Sequence, residues 1–464
     1  MPPRIWTFLS GLLLLPVAGA LFFFDLGARV LATNDETRFP LLARDILARG
    51  EWLLPQLNGR VYLNKPPLYA WLVALASWPR GAVTQTTAAL PSLLAALGLV
   101  VLTAWLGRRL FDPAAGFIAG LVATTMYGVF TLARVPMPDM LLCLAFTGAV
   151  ATFVAADARG GRGAVVAFYA LVGVAFWSKG PAGLLPLAVI IVYALAARDR
   201  ETLARLVSAP GIALLALLVA AWWRLGAAAG REAFTEGVVQ GDMLRWYLPS
   251  GGGGRRLLTE PLAQAATVLL PWVALLPAAV ASAVRGRARD GERWRRTLLL
   301  LGWAAVVFVA IGASREQRMR YYLPLCPPVA VLIGAWWSAR PWRRRAAAFA
   351  AAWLLVAGSL VALERRWTAG ANAATDLAGL AAARQRLAAP LYAVETPELV
   401  LAFYLDAPVV RLSGAERLDE QLARARGGYL VVADRMLRDA EASRPHPVAA
   451  GRIGGRRFTV FGPE

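Results

Sequence analysis

The sequence contains one histidine, His446, and only two cysteines, Cys143 and Cys326. A single histidine excludes a metal site built from several histidines. The two cysteines lie in separate apolar runs, a setting that is more typical of inert core thiols than of a disulfide. The sequence therefore offers few groups for thiol chemistry or for metal binding through histidine.

Lysine is almost absent as well, because only Lys65 and Lys179 occur among the 49 basic residues. Each lysine precedes a proline turn, in the sequences NKPP and SKGP. Two prolines hold the backbone extended and so fix the direction of the preceding side chain. A lysine near a membrane can instead be an interface anchor, but arginine serves that purpose throughout the rest of this chain. We therefore interpret Lys65 as an anion-binding cation at a membrane surface, and for Lys179 both interpretations stay open.

Apolar residues make up 58% of the chain, and its mean hydropathy is +0.54. The sequence predicts a polytopic α-helical membrane protein with about 11–13 transmembrane helices, judged by the length needed to cross hydrocarbon. The apolar runs are Ile5–Phe24, Ala88–Leu106, Phe117–Thr131, Met140–Ala155, Val165–Trp177, Leu184–Ala197, Ile212–Trp223, Ala266–Ala283, Leu298–Ile311, Leu323–Trp337 and Ala346–Leu363.

The positions of the arginines predict the orientation of the chain in the membrane. Cytoplasmic loops are rich in basic residues, and with the N-terminus inside, every second loop carries an arginine cluster, such as Arg285–Arg296 and Arg340–Arg345. Topology thus accounts for the net charge of +20 without a nucleic-acid partner. The opposite loops hold the carboxylates and lysines discussed here, so we expect the chemistry on the outer face.

The apolar character ends near residue 366, and the remainder alternates short strand and helix patterns. We predict a transmembrane domain over 1–366, including an outer loop with interfacial helices over 25–80, and a small outer α/β domain over 367–464. The predicted strands, helices and final hairpin of that domain are Leu391–Val394, Pro397–Tyr404, Ala407–Leu412, Ala415–Arg426, Gly428–Ala433 and Arg452–Gly462.

Two carboxylates in the outer loops are unusual. Thr33 and Glu36 match a helix capping box, which explains Glu36 but gives the adjacent Asp35 no structural task, so we interpret Asp35 as functional. Asp139 opens a predicted span after the sequence PMP. A carboxylate at the edge of the hydrocarbon faces a partner or a cavity, with a helix N-cap as the alternative.

Cations stand next to aromatic residues in two further outer loops, as Arg245 in RWY and as Arg320 with Tyr321 in RYYLP. The aromatic residues alone are typical of the belt at a membrane interface. Basic side chains that converge on one outer site indicate a phosphate ligand.

Taken in order, these motifs resemble the first periplasmic loop of bacterial aminoarabinose transferase-like glycosyltransferases, of the GT-C group that includes protein O-mannosyltransferases. The motifs that carry the resemblance in that loop are DE-x-R at 35–38, GEW at 50–52, P-x-LNG at 55–59 and Y-x-x-KPPLY at 62–69. RLF at 109–111, KGP at 179–181 and RYYLP at 320–324 fit in order.

The resemblance implies an enzyme that takes a sugar from a polyprenyl (undecaprenyl) phosphate at the periplasmic face of the bacterial inner membrane. The acceptor would be lipid A or another lipid or glycan, and the enzyme would act as a monomer. The implied site residues are Asp35 and Asp139 as catalytic carboxylates, Lys65, Arg245, Arg320 and Tyr321 at the donor phosphate, and Glu36, Arg38, Tyr62 and Lys179 around the pocket.

The chain departs from the family pattern at Phe39, where tyrosine is usual, and at Asn64, where an acidic residue is frequent. It also lacks the histidine often found in the second outer loop, and the first loop has no D-x-D pair. These departures favour an enzyme without a bound metal and leave the sugar open.

Two rival functions follow from the same residues. In a protein O-mannosyltransferase the acceptor is a serine or threonine hydroxyl, and Asp35 must act as its base. A flippase for lipid-linked sugars belongs to another class, in which paired repeats and polar residues at mid-membrane are typical. Charges that cluster at one surface favour the enzymes.

Overall fold

The computed structural model describes residues 3–159, 162–235, 238, 256–340, 346–379, 390–412, 420, 425, 427–437 and 447–462. Contacts between Cα atoms divide the chain into two compact units. Unit 1 comprises Met1–Phe24, Leu63–Tyr69 and Pro91–Val361, and unit 2 comprises Asp25–Tyr62, Ala70–Leu90 and Ala362–Glu464. The domain boundaries at 366 and 367 stay a prediction.

Every predicted apolar run lies on helical segments, but Phe117–Thr131 is interrupted at Thr125 and Met126 and is therefore not one continuous helix. The helices are α1 (Pro3–Phe23), α2 (Asn34–Arg49), α3 (Leu68–Ser77), α4 (Gln85–Leu110), α5 (Pro113–Thr124), α6 (Tyr127–Leu132), α7 (Asp139–Arg159), α8 (Arg162–Lys179), α9 (Leu185–Ala197), α10 (Arg200–Leu206), α11 (Ala209–Phe234), α12 (Arg256–Leu269), α13 (Leu276–Gly286), α14 (Gly291–Gly312), α15 (Cys326–Ser338), α16 (Ala346–Ala373), α17 (Glu398–Leu405) and α18 (Asp434–Leu437). The predicted fold class, a polytopic helical membrane protein with a small C-terminal α/β domain, is confirmed, whereas the predicted number of about 11–13 transmembrane helices stays a prediction.

By length and composition, six helical stretches in the described part of the chain could cross a membrane. A seventh would be the pair Thr259–Leu269 and Trp272–Gly286, which is bent by 103°. This bend corrects the predicted continuous run Ala266–Ala283. Its physical reason is Pro271 at the break, since proline cannot donate the hydrogen bond that would continue the helix.

One of the six stretches, Gly163–Ala197, consists of the helices α8 and α9 joined by a 3-10 turn, Gly180–Leu184. Gly180 has a φ of +72°, which glycine adopts without strain. The Cα of Gly183 lies so close to the backbone of Phe176 that a Cβ would approach its nitrogen to 2.1 Å. By length and composition this stretch counts as one candidate span of 35 residues, so its predicted separation into two spans stays a prediction. Lys179 is the last residue of α8, directly before the turn.

Unit 1 is held together by close helix packing. Helix α7 packs on α8, α8 on α11, and α5 on α15. At Gly334 of α15 an added Cβ would lie 2.3 Å from the carbonyl oxygen of Ala115. Small residues at such crossings let two backbones approach, which is how helices associate where lipid removes the hydrophobic driving force.

Unit 2 contains a five-stranded sheet in the order β4-β3-β5-β7-β6. Strand β3 is parallel to β4 and β5, whereas β5 and β7 are antiparallel and β6 forms a hairpin with β7. The strands are β3 (Leu391–Val394), β4 (Val409–Arg411), β5 (Tyr429–Ala433), β6 (Pro447–Ile453) and β7 (Arg456–Phe461). The predicted strands β3, β4 and β5 are confirmed, and the final hairpin begins at Pro447 rather than at the predicted Arg452. Of the predicted helix Ala415–Arg426 only residues 420 and 425 lie within the described residues.

The first loop supplies the rest of unit 2. Helix α2 packs on α17, whose Val400, Leu401 and Leu405 join the core of the sheet. A small hairpin of β1 (Gln56–Leu57) and β2 (Arg60–Val61) follows. Its turn residues, Asn58 and Gly59, have φ of +52° and +76°, the left-handed pair that tight hairpin turns require.

Candidate active site

The lysine of the NKPP sequence stands in a fixed segment of unit 1. Pro66 and Pro67 are buried, and Lys65 is half-buried. Four residues after Lys65, the buried hydroxyl of Tyr69 lies 2.6 Å from that of Ser92. Since buried polar groups require partners, this pair fixes the segment against α4.

The same network reaches the turn before Asp139. Ser92 donates a hydrogen bond of 3.0 Å to the carbonyl oxygen of Met137, the central residue of the PMP sequence. The Lys65 segment and the Asp139 turn are therefore joined through two buried hydroxyls. Neither Tyr69 nor Ser92 was predicted to have a role, although hydroxyls inside apolar runs are the signal that could have drawn attention to them.

Asp139 and Lys179 form an ion pair inside unit 1. Asp139 is the first residue of α7 and Lys179 the last of α8, and these neighbouring helices bring the Lys179 ammonium into contact with Asp139 Oδ1. The Asp139 side chain is 4% exposed and the Lys179 side chain 12%. Buried charges persist when they are paired, so the partner that the sequence required for Asp139 is a lysine.

Tyr321 lies beside this pair. The Lys179 ammonium stands 4.2 Å from the centre of its ring, and the Arg320 guanidinium stands 5.4 Å from it. Both distances are in the range of attraction between a cation and an aromatic face. Burial of the phenol raises the pKa of Tyr321, and the charges of Arg320 and Arg318 oppose this rise. The hydroxyl is therefore protonated at neutral pH and can donate a hydrogen bond.

Three cations contribute to this cluster. Lys65 and Arg320 lie near enough to Lys179 to act on its charge, and Lys179 itself is paired with Asp139. Several cations near a half-buried aromatic hydroxyl suit an anion such as phosphate. We name Lys65, Asp139, Lys179, Arg320 and Tyr321 the cation cluster.

Four other predicted residues lie in unit 2, on α2 or close to it: Asp35, Glu36, Arg38 and Tyr62. The predicted capping box is confirmed, with hydrogen bonds in both directions between Thr33 and Glu36. Glu36 is 7% exposed and also accepts from Arg29 and from the backbone N–H of Ala32. These contacts within the loop account for Glu36, and its role in a pocket stays a prediction.

Asp35 differs from its neighbour. Its carboxylate lies 3.2 Å from the Arg38 guanidinium one turn along α2, and the two side chains are 25% and 32% exposed. Tyr62 stacks edge-on against Phe39 at 6.4 Å. Phe39, which takes the place of the usual tyrosine, is buried and so serves in packing.

The structure thus brings together five of the predicted residues in unit 1 and four in unit 2. Arg245 lies outside the described residues. That all ten meet in one cavity stays a prediction. Within the part of the chain that the structure describes, no three His, Cys, Asp or Glu side chains are grouped as metal ligands.

A family model described as dolichyl-phosphate-mannose-protein mannosyltransferase matches residues 64–223. Curated relatives match over more of the chain. An undecaprenyl phosphate-α-4-amino-4-deoxy-L-arabinose arabinosyl transferase of Edwardsiella ictaluri is 27% identical over 338 residues, which cover 71% of this chain and 59% of that protein. An arabinosyl transferase of the same name from Sodalis glossinidius is 28% identical and covers 68% and 56%. The match therefore spans less than two thirds of these relatives.

Solved structures match the fold more completely. The crystal structure of ArnT from Cupriavidus metallidurans bound to undecaprenyl phosphate has a TM-score of 0.79 at 21% identity, covering 98% of this chain and 99% of that one. The oligosaccharyltransferase of Archaeoglobus fulgidus in its apo form has a TM-score of 0.61 at 14% identity, covering 92% and 70%. At these identities the likeness concerns the fold.

Sequence and fold point to the same group of proteins, and the apolar helices make the chain a multi-pass membrane protein. The resemblance that the first loop indicated is thus confirmed, since the chain is aminoarabinose transferase-like in sequence and has the GT-C fold.

Proposed function

We propose that this protein is a glycosyltransferase of the bacterial inner membrane that acts as a monomer. It takes a sugar from undecaprenyl phosphate and transfers it, at the periplasmic face, to lipid A or to another lipid or glycan. The observation that carries the proposal is the cation cluster, in which Lys179 pairs with Asp139, Lys179 and Arg320 lie over the protonated phenol of Tyr321, and Lys65 lies near Lys179.

The cluster suits the departure of the donor phosphate. When the bond between sugar and phosphate breaks, negative charge gathers on the phosphate oxygens. Lys65, Arg320 and the hydroxyl of Tyr321 would meet that charge, together with Arg245. One well-placed donor contributes about 3–4 kcal/mol to a transition state of this kind.

Within the cluster, Asp139 and Lys179 support each other. The carboxylate holds the ammonium over the Tyr321 ring, which favours a role for Asp139 in aligning the cations. A direct catalytic role for Asp139 is the other part of the proposal, and it would require the contact with Lys179 to loosen.

Asp35 would act on the acceptor, and it is the more exposed of the two carboxylates. If the acceptor is a hydroxyl, Asp35 takes its proton, a contribution of about 10²–10⁴-fold in rate. If the acceptor is a phosphate of lipid A, it is already ionised, and Asp35 orients the acceptor or an amine of the sugar. Arg38, Glu36 and Tyr62 would shape the surrounding pocket.

The names of the curated relatives support an aminoarabinose donor and therefore lipid A as acceptor. The family model supports a second candidate, a protein O-mannosyltransferase. Both use a polyprenyl phosphate donor, so the cation cluster serves either reaction, and the acceptor distinguishes them.

Mass spectrometry of lipids and glycoproteins separates these candidates. Cells with the gene, without it, and with an Asp35→Asn variant are compared. We expect a sugar mass on lipid A that disappears in both altered strains. Loss of the mass from glycoprotein would favour the mannosyltransferase, and no change on either acceptor would contradict both.

A further inference from the structure

Side-chain amides connect the first loop to the C-terminal region within unit 2. The chain has only four asparagines, Asn34, Asn58, Asn64 and Asn372. Each of three of them, Asn34, Asn58 and Asn372, makes two hydrogen bonds from one side of this junction to the other. An amide that donates and accepts at once imitates a backbone peptide, so these residues extend the backbone pairing across the junction.

Asn34 caps a helix that lacks a cap of its own. The residue before α17 is Pro397, which makes no side-chain capping hydrogen bond, although the first N–H groups of a helix need partners. Asn34 Oδ1 accepts from the N–H of Leu399 at 3.0 Å, and its Nδ2 donates to Glu398 at 3.0 Å. The first loop thus supplies the missing cap of α17.

Arg44 closes the other end of the same helix. Its guanidinium donates to the carbonyl oxygens of Phe403, at 2.9 Å, and Ala402, at 3.5 Å, and pairs with Asp406 at 3.0 Å. The last carbonyls of a helix lack partners in the same way as its first N–H groups. Ten residues of α2, about 15 Å, separate Asn34 from Arg44. This spacing matches the eight residues of α17, about 12 Å, so α2 and α17 run parallel.

The other two asparagines fix the flanks of α2. At the turn of the small hairpin, Asn58 donates to the carbonyl oxygen of Val409 at 2.9 Å and accepts from its N–H at 3.4 Å. Val409 belongs to β4, the edge strand of the sheet. Ahead of α2, Asn372 accepts from the N–H of Val30 at 3.0 Å and donates to the carbonyl oxygen of Ala28 at 2.9 Å.

We propose that the C-terminal α/β domain is the positioning element of helix α2 and therefore of Asp35. The proposal rests on the function proposed above. Most of the stability of a helix in a protein comes from tertiary packing, and α2, a helix of sixteen residues, contacts both ends of α17 through Asn34 and Arg44. Because Asn34 directly precedes Asp35, the contact with α17 fixes the backbone that carries the carboxylate. Asn34 and Arg44 are positioning residues, acting on the reaction through Asp35.

Hydrogen exchange and kinetics on the full-length protein in lipid nanodiscs test this inference. In Asn34→Ala and Arg44→Ala, we expect the amides of α2 to exchange about five- to tenfold faster, the factor for one lost cap or hydrogen bond. The kcat of sugar transfer should fall about tenfold or more, since a small misplacement of a catalytic group is costly. The KM for the polyprenyl donor should stay within about twofold, because α2 does not belong to the cation cluster.

Two further variants keep the test decisive if an alanine variant fails to fold. Asn58→Asp retains the acceptor for Val409 and tolerates the left-handed turn, so its exchange and kcat should lie between those of the unaltered protein and Asn34→Ala. Val448→Thr alters an exposed residue of β6 that makes none of these contacts, and both measurements should be unchanged.

The outcomes separate the inference from the proposed function. Unchanged exchange of α2 in Asn34→Ala and Arg44→Ala would overturn the inference, whatever the activity. Faster exchange with an unchanged kcat would overturn the positioning role. Absence of sugar transfer by the unaltered protein would overturn the proposed function and with it the catalytic part of the inference, and exchange alone would then decide whether the C-terminal domain holds α2.

Discussion

The ion pairs of the two predicted catalytic carboxylates, Asp139 and Asp35, belong to different environments. In unit 1, the Asp139 and Lys179 side chains are 4% and 12% exposed, and each comes from the end of a different helix. In unit 2, the Asp35 and Arg38 side chains are 25% and 32% exposed and lie one turn apart on α2. The first pair joins elements distant in sequence, whereas the second is local.

This difference predicts different tasks. A buried pair keeps its geometry because separating its charges would leave each of them buried without a counter-charge. A half-exposed pair contributes little to stability and can exchange its partner for water or substrate. The pair in unit 1 is therefore suited to a fixed electrostatic environment, and Asp35 is suited to meeting an incoming acceptor.

The largest effect should come from Asp35→Asn, which keeps the shape of the side chain and removes its charge. We expect transfer to fall by about 10²–10⁴-fold, the contribution of a general base. The thermal unfolding of the detergent-solubilised protein should change by about 1 kcal/mol or less, as for an exposed pair. A variant that retains full activity would contradict the catalytic role of Asp35. A variant that is inactive because it unfolds would contradict the view that the Asp35–Arg38 pair, unlike the Asp139–Lys179 pair, contributes little to stability.

Lys179→Met should have the opposite signature. It leaves the Asp139 carboxylate buried without its ammonium, which costs about 3–5 kcal/mol of stability. The double variant Lys179→Met with Asp139→Leu should recover most of this loss, because a buried pair can be replaced by apolar side chains. Thermal unfolding of the three proteins measures the effect. If the single variant is as stable as the double one, the pair is not buried as described.

Tyr321→Phe should lower the transfer rate about tenfold, since a hydrogen bond to a charged group is worth about 1.5–3 kcal/mol. Because burial raises the pKa of Tyr321, the neutral phenol persists in the folded protein above its ordinary pKa of about 10. The effect of Tyr321 ionisation on the free energy of unfolding is therefore absent below about pH 10, and the folded state loses stability as the pH rises further, because the unfolded chain releases the proton first. Rates from pH 6 to 10 should therefore show no ionisation of Tyr321, and a Tyr321-dependent decline below pH 9 would contradict this expectation.

The smallest effect should come from Thr33→Ala. It removes the N-cap of α2 and should cost about 1 kcal/mol, a local loss that leaves Arg38 and Asp35 in place. Hydrogen exchange confined to the first turn of α2 checks this expectation. Faster exchange throughout α2 would mean that the cap, rather than α17, holds the helix.

Sequence patterns predicted the local features of the protein well. Apolar run length located the helices, and strand and helix patterns located β3, β4, β5 and α17. The capping box placed the start of α2. The break at Pro271 was not predicted, because the apolar composition continues through it.

Contacts between distant segments were harder to predict. Rarity singled out Lys65 and Lys179, but nothing in the sequence paired Lys179 with Asp139. Of the three bridging asparagines, Asn34 begins α2, Asn372 lies near the end of α16, and Asn58 lies in a turn. Asparagine is common at such positions for local reasons, so their long-range partners were not foreseen.

The sequence alone determined which segments are helical, where the small α/β domain begins to form strands, and which residue types are available for binding an anion, because hydrophobicity and turn chemistry act over a few residues. Only the tertiary structure decided that the end of α8 meets the start of α7, and that α17 receives its caps from the first loop. These partners are chosen by packing between segments far apart in the chain, and no local pattern encodes the distance between them.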